Sequence, residues 1–161
     1  MEFHTYYRFD ELRRDCLALQ MRTQSIFTSL EWFELLAKFT TPNHRSVLLS
    51  TLTESGPRCF CLPFIKTRNG LASLSNFYTG LFGPIDLGTE DVAFSKQATW
   101  ELCQQLRRLH PRPAAINISP LDTDGRFFAN MLTGLASAGY FTDSYFCFGN
   151  WFLAQRTGFF L

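Results

Sequence analysis

The stretch YTGLFGPI, Tyr78 to Ile85, is the first place in this chain where residue types and spacing could do chemistry. It follows an apolar run, precedes a helical pattern, and carries Gly80 and Gly83. Glycines let a backbone approach a ligand closely, and a helix start offers N–H groups to an anion. Gly80, Leu81, Phe82 and Gly83 are therefore candidate contacts for a phosphate-bearing cofactor. The span from Thr79 to Thr89 also holds Gly88 but no Lys or Arg, and Pro84 removes one N–H outright. The competing reading is a tight turn that positions the loop against a neighbouring part of the protein.

Other candidates follow in the chain's last third. Asp143 and Tyr145 stand two apart on a presumed strand face, the proximity an acid–base pair needs, and they are equally a solvated carboxylate beside a half-buried phenol. Asn150 and Trp151 follow Gly149 in an aromatic segment and would line a cleft, or mark a bulge with a core Trp. His4, His44 and His110 have no partner at metal-binding spacing, and no zinc, calcium or P-loop signature occurs, so no metal is expected. Ser29, Ser75 and Ser119 lack the GxSxG elbow of a hydrolase. Arg107, Arg108 and Arg112 crowd the end of a helix, where cations suit its dipole.

Composition bounds what these residues can serve. The 161 residues are 46% hydrophobic and 18% charged, the balance of one globular domain spanning 1–161. A net charge of +1 offers no electrostatic grip on nucleic acid or an anionic membrane. The 18 phenylalanines demand a large core or a covered apolar surface. The five cysteines form no CxxC pair, and we read them as reduced, mostly buried thiols of a cytoplasmic chain. No segment is long enough to span a membrane, and no signal peptide is apparent.

The elements that must position the candidates follow from periodicity. Residues 2–6 read as a strand, Phe9 to Gln20 as a helix, and Thr28 to Phe39 as a second helix with Thr28 and Glu31 in capping-box spacing. Ser46 to Glu54, Pro57 to Ile65 and Leu71 to Thr79 read as three strands of an antiparallel meander, with Ser55-Gly56 and Arg68-Asn69-Gly70 as turns. Pro63 weakens the second of these or puts it near an edge or bulge. A helix over about 90–109 follows, with Val92, Ala98, Leu102, Leu106 and Leu109 inward. Ala114 to Ser119 is a strand, Asp122 to Asp124 cap a helix over Arg126 to Ala138, and Gly139 ends it. Phe141 to Gln155 reads as one or two aromatic strands. The order β–α–α–β–β–β–α–β–α–β predicts an α/β fold with a mixed, mostly antiparallel central sheet flanked by helices on both faces. The crossover into Ala114 to Ser119 predicts a parallel pair with the third meander strand. The glycine loop then lies at the carboxyl end of that strand, where ligands favour α/β sheets.

This order, with a glycine loop between the fourth strand and the third helix, resembles the GNAT acyltransferase superfamily. SIFTSLEWFELLAKF, CFCLPFI, GLFGPI and FGNWFL, from Ser25 onward, are similar to the N-terminal half of its Fem-type and CelD-like tandem members. The resemblance implies acyl or aminoacyl transfer from a CoA-type or activated donor to an amine. It implies acyl-CoA as the possible cofactor and a second GNAT-like half or partner chain. Asn150 and Trp151 would then line the cleft between halves, and because the loop from Thr79 to Thr89 departs from the family's pattern in having no basic residue, we expect this half to be structural or substrate-binding with the catalytic set mainly elsewhere. The alternative is a non-catalytic interaction domain that packs on a partner, or on its own copy as a homo-oligomer, through its aromatic C-terminal end.

Overall fold

Two apolar runs build the centre of the sheet. VLLSTLT and CFCLPFIK are rich in strand formers and become β2 (Val47–Thr53) and β3 (Cys59–Lys66), paired antiparallel from Val47↔Ile65 to Thr53↔Cys59. Nearly every residue of both strands is buried, so both faces of the sheet are covered here. The computed structural model describes residues 1–16, 25–40, 47–53, 58–86 and 91–146. Within them β1 (Glu2–Tyr6) adds antiparallel to β2, and β4 (Gly70–Ser73) adds antiparallel to β3. β5 (Ile85–Asp86) pairs antiparallel with β3, and β6 (Ala115–Asn117) lies parallel to β4 through Gly70↔Ala115, Leu71↔Ile116 and Ala72↔Asn117. The path is β1-β2-β3-β4-β6, a mixed and mostly antiparallel sheet.

Four helices complete the described fold: α1 (Phe9–Asp15), α2 (Leu30–Thr40), α3 (Val92–Arg108) and α4 (Arg126–Ser137). Successive side chains of a strand point to opposite faces. On β3, Phe60 meets Phe127 of α4 at 6.5 Å between ring centroids, while the neighbouring Cys59 shares a thiol hydrogen bond with Cys16 at the end of α1. Different helices therefore cover the two faces. α1 is tied to α2 by the Arg13–Glu34 pair, Nη2 to Oε2 at 2.7 Å. Within the described residues no helix is long and apolar enough to cross a membrane.

Several expected boundaries shift, each for a local reason. The first helix ends at Asp15, because Cys16 leaves helical geometry at φ −119°, and 17–24 lie outside the described residues. The second helix is capped by Ser29, not Thr28: Ser29 is extended and its Oγ accepts the Trp32 N–H at 3.1 Å. Thr28 belongs to a preceding 3-10 turn, Ile26–Thr28, which Ser25 caps. Val92 is half-exposed at the start of α3, and Phe94, Thr99 and Cys103 take inward positions instead. At α4 the Asp122 side chain turns back to the Asp124 N–H, leaving Gly125 to precede the helix, while Gly139 ends it at φ +79°. Residues 141–146 are irregular rather than strand, and 147–155 lie outside the described residues, as does the Ser55-Gly56 turn.

The largest departure concerns the third meander strand. It stops at Ser73 because Asn76 turns the chain, its Oδ1 accepting from the Tyr78 N–H and the Thr79 hydroxyl. Residues 74–84 loop out, and the chain rejoins the same edge of β3 as β5. Pro63, inside the central strand, is tolerated for this reason. Its carbonyl accepts the Leu74 N–H, so its nitrogen faces the edge that the partner is leaving.

Candidate functional site

The glycine loop sits at the carboxyl ends of the parallel pair β4 and β6, and its surroundings are protein. A Cβ on Gly80 would lie 3.2 Å from the Phe27 ring, and one on Gly83 would lie 3.0 Å from Thr28 Cγ2. Between them Phe82 is buried, edge-on to Phe33 at 5.9 Å, and its N–H donates to the Pro120 carbonyl at 2.7 Å. Both glycines are thus used for close packing against the turn that precedes α2. The start of α3, the natural anion seat, is capped from within. Asp91 accepts the Phe94 N–H at 3.0 Å and pairs with Arg58 Nη1 at 3.1 Å. The Phe94 N–H, then Arg58, hold the Asp91 carboxyl below the usual range. A pyrophosphate brought here would meet a carboxylate already in place.

Beside the loop opens a cavity of about 630 Å³ between β6, α4 and residues 140–146. Gly80, Asp143 and Tyr145 line it together, whereas Leu81, Phe82 and Gly83 do not. Its walls are largely apolar, with Ile116, Ile118, Met131, Leu132, Leu135 and Phe128 among them, and Asp143 is the single charged residue among the described residues of the lining. Asp143 and Tyr145 are both exposed, and the Asp143 carboxylate accepts the N–H of Ser144 at 2.8 Å. A serine cluster braces the mouth. Ser73 and Ser75 donate to the Ser119 carbonyl at 2.7 and 2.8 Å, and Ser119 N–H donates back to Ser73 Oγ at 3.1 Å. These hydroxyls are committed to holding β4 and β6 together. Asn150 and Trp151 lie outside the described residues.

A second cavity, about 310 Å³, lies between β5, the first turns of α3 and the start of α4. Thr28, Asp86, Ser95, Thr99, Arg126 and Asn130 are the polar residues of its described lining, with Phe60, Phe127 and Val92 among the apolar walls. Ser95 donates its hydroxyl to the Asp86 carboxylate, and Thr99 spends its own on the Ser95 carbonyl. None of these residues forms a sequence motif. Asp86 and Ser95 meet only because β5 exists, and that two-residue strand carries no periodicity to read.

The thiols are built for burial rather than reactivity. Burial pushes Cys61 and Cys103 each up to about 12, with the Thr51 hydroxyl partly opposing this at Cys61. Cys16 and Cys59 share a hydrogen bond in which Cys16 is held lower and Cys59 raised. All four are free, and Cys147 lies outside the described residues. Among the described residues no cluster of His, Cys, Asp or Glu could hold a metal ion. The arrangement is that of an α/β domain with several lined cavities, another of about 660 Å³ lying beside Tyr7, Glu34 and Lys38. No family model matches the chain, and no curated protein or solved structure is found to be similar to it.

Proposed function

We propose that this domain is the structural or substrate-binding half of a GNAT-type acyltransferase, and that a second half or partner chain holds the phosphates of its activated donor. One observation carries the reading: a largely apolar cavity of about 630 Å³ opens at the carboxyl end of the parallel β4–β6 pair, with an acidic rather than basic residue in its lining. Ligands of α/β sheets favour that end. Apolar walls suit the acyl chain of a donor, and Asp143 repels its phosphates. Burying each methylene contributes about 0.8 kcal/mol, roughly fourfold in affinity. Calorimetry with acetyl-, hexanoyl- and decanoyl-CoA tests this. Affinity should rise steeply with chain length, and CoA alone should not bind. Equal affinity across the series, or tight binding of CoA alone that is lost in Gly80→Leu, would sink the proposal.

The alternative, an interaction domain, draws on one feature. Phe141, Tyr145 and Phe146 are 96%, 70% and 85% exposed at the rim of the same cavity. Large exposed apolar groups at one place mark a contact surface. Concentration-dependent association in sedimentation, abolished by Phe141→Ser with Phe146→Ser and accompanied by no dependence on acyl length, favours this second reading over the first.

A further inference from the structure

The larger cavity opens along a margin of the sheet. β6 is the last strand of the path and pairs with β4, and among the described residues no strand lies on its other side. Alternate residues of an edge strand turn their N–H and C=O groups outward, a template for another extended chain. The cavity follows this edge through all of Ala114 to Leu121. Ala115 and Asn117 are exposed, so the edge is reached from solvent. A second wall is α4, where Phe128, Leu132 and Leu135 recur at helical spacing. Phe128 and Leu132 are only half-buried, which leaves apolar surface for a guest. Tyr140 reaches the head of β6, its hydroxyl donating to the Pro113 carbonyl at 3.4 Å. Asp143 stands exposed in the lining, and among the described residues its carboxylate has one partner, the adjacent Ser144 N–H at 2.8 Å.

We propose that this trough binds an extended peptide that is apolar at alternate positions and carries lysine or arginine. Its backbone adds to the outer edge of β6, its apolar side chains lie against Phe128, Leu132 and Leu135, and a cation meets Asp143. In strand addition the main-chain hydrogen bonds supply affinity, and the pockets for alternate side chains supply selectivity. An acidic peptide meets Asp143 as a like charge. A second copy pairing β6 to β6 supplies no cation, since residues 114–121 contain no Lys or Arg. The inference goes beyond the acyl-chain reading and does not rest on it, because it uses the backbone edge, which an acyl chain cannot hydrogen-bond.

The probe is the capped pentapeptide acetyl-Val-Lys-Val-Lys-Val-amide. It is titrated to about 5 mM into the full chain and followed by amide-resolved NMR, a range that reveals millimolar dissociation constants. Shifts should gather on residues 114–119, on α4 from Phe128 to Leu135, and on residues 140–146. A strand on one edge presents only alternate N–H groups to it. Of two N-methylated versions, one blocked at the valines and one at the lysines, a single one should therefore bind at least tenfold more weakly while the other binds like the parent. An exposed ion pair contributes about threefold in affinity, so Asp143→Asn should weaken binding by about that factor with the far-ultraviolet dichroism unchanged. Exchanging both lysines for glutamate turns the attraction into repulsion and should weaken binding about tenfold. No shifts, equal loss with both N-methylated versions or with neither, or full binding of the glutamate peptide overturns the proposal. The two readings of the cavity are read separately. Decanoyl-CoA binding without peptide shifts leaves the acyl-chain reading standing and overturns this one, and peptide shifts with no dependence on acyl length do the reverse.

Discussion

Replacing Phe82 by Ala asks whether the glycine loop is framework or a movable binding element. Phe82 is 1% exposed and stands edge-on to Phe33 at 5.9 Å, at the centre of the loop that a cofactor would have to touch. Removing a buried ring leaves a cavity and costs about 3–5 kcal/mol. The ring pair accounts for about 1 kcal/mol of that. Gly80 and Gly83 are pressed against Phe27 and Thr28, which leaves the loop little room to collapse into the space, so we place the loss near 4 kcal/mol. With a urea slope of about 2 kcal/mol/M, the unfolding midpoint should fall by about 2 M. Phe82→Leu should cost no more than about 1.5 kcal/mol and serves as the milder variant. A double-mutant cycle with Phe33→Leu should return a coupling of about 1 kcal/mol. Urea unfolding followed by far-ultraviolet dichroism measures all three. A loss below about 1 kcal/mol for Phe82→Ala would refute the reasoning, since a residue so cheaply removed cannot be fixing the loop.

Two further outcomes are expected. Gly70→Ala places a Cβ 1.9 Å from the Ala115 carbonyl oxygen, a backbone atom that cannot swing away, so β6 must part from β4. The loss should be about 3 kcal/mol, read as a thermal midpoint lowered by about 10 °C, and an unchanged midpoint would count against this pairing. Asp91 has a folded-state carboxyl held below its ordinary value, so its stabilising contribution is present above the unfolded carboxyl value and disappears as pH falls through the folded one. The stability difference between wild type and Asp91→Asn should therefore shrink on acidification below about pH 4, and a difference constant with pH would contradict the cap.

Elements with long, strong patterns were legible in the amino-acid order, and those made by single side-chain bonds were not. Leu102, Leu106 and Ala98 at helical spacing announce α3, and the two apolar runs announce β2 and β3. The crossover rule foretold the parallel β4–β6 pair. Nothing in LASLSNFYT announces that Asn76 will turn the chain after Ser73, because an Asx turn competes with a strand through one hydrogen bond. β5 is too short to have a period, and the cavity around Asp86 and Arg126 depends on it. The larger cavity was not legible as a unit, since its candidate residues were read separately. Gly80, Asp143 and Tyr145 do converge, but on irregular backbone rather than on the strand face expected of residues 141–146.

The looped-out strand also bears on how this fold tolerates change in chain length. β4 and β5 leave and rejoin one edge of β3, so the register on each side is set by its own pairing and not by the residues between. The tip of the excursion, Phe77 and Tyr78, is 94% and 77% exposed. Closure entropy grows slowly, by about 0.6 kcal/mol for each doubling of loop length. Extra residues inserted at that tip would lengthen the excursion while Gly80 to Gly83 keep their seat. The sheet thus contains a natural grafting point, where a binding segment of foreign sequence can be carried on an unaltered core.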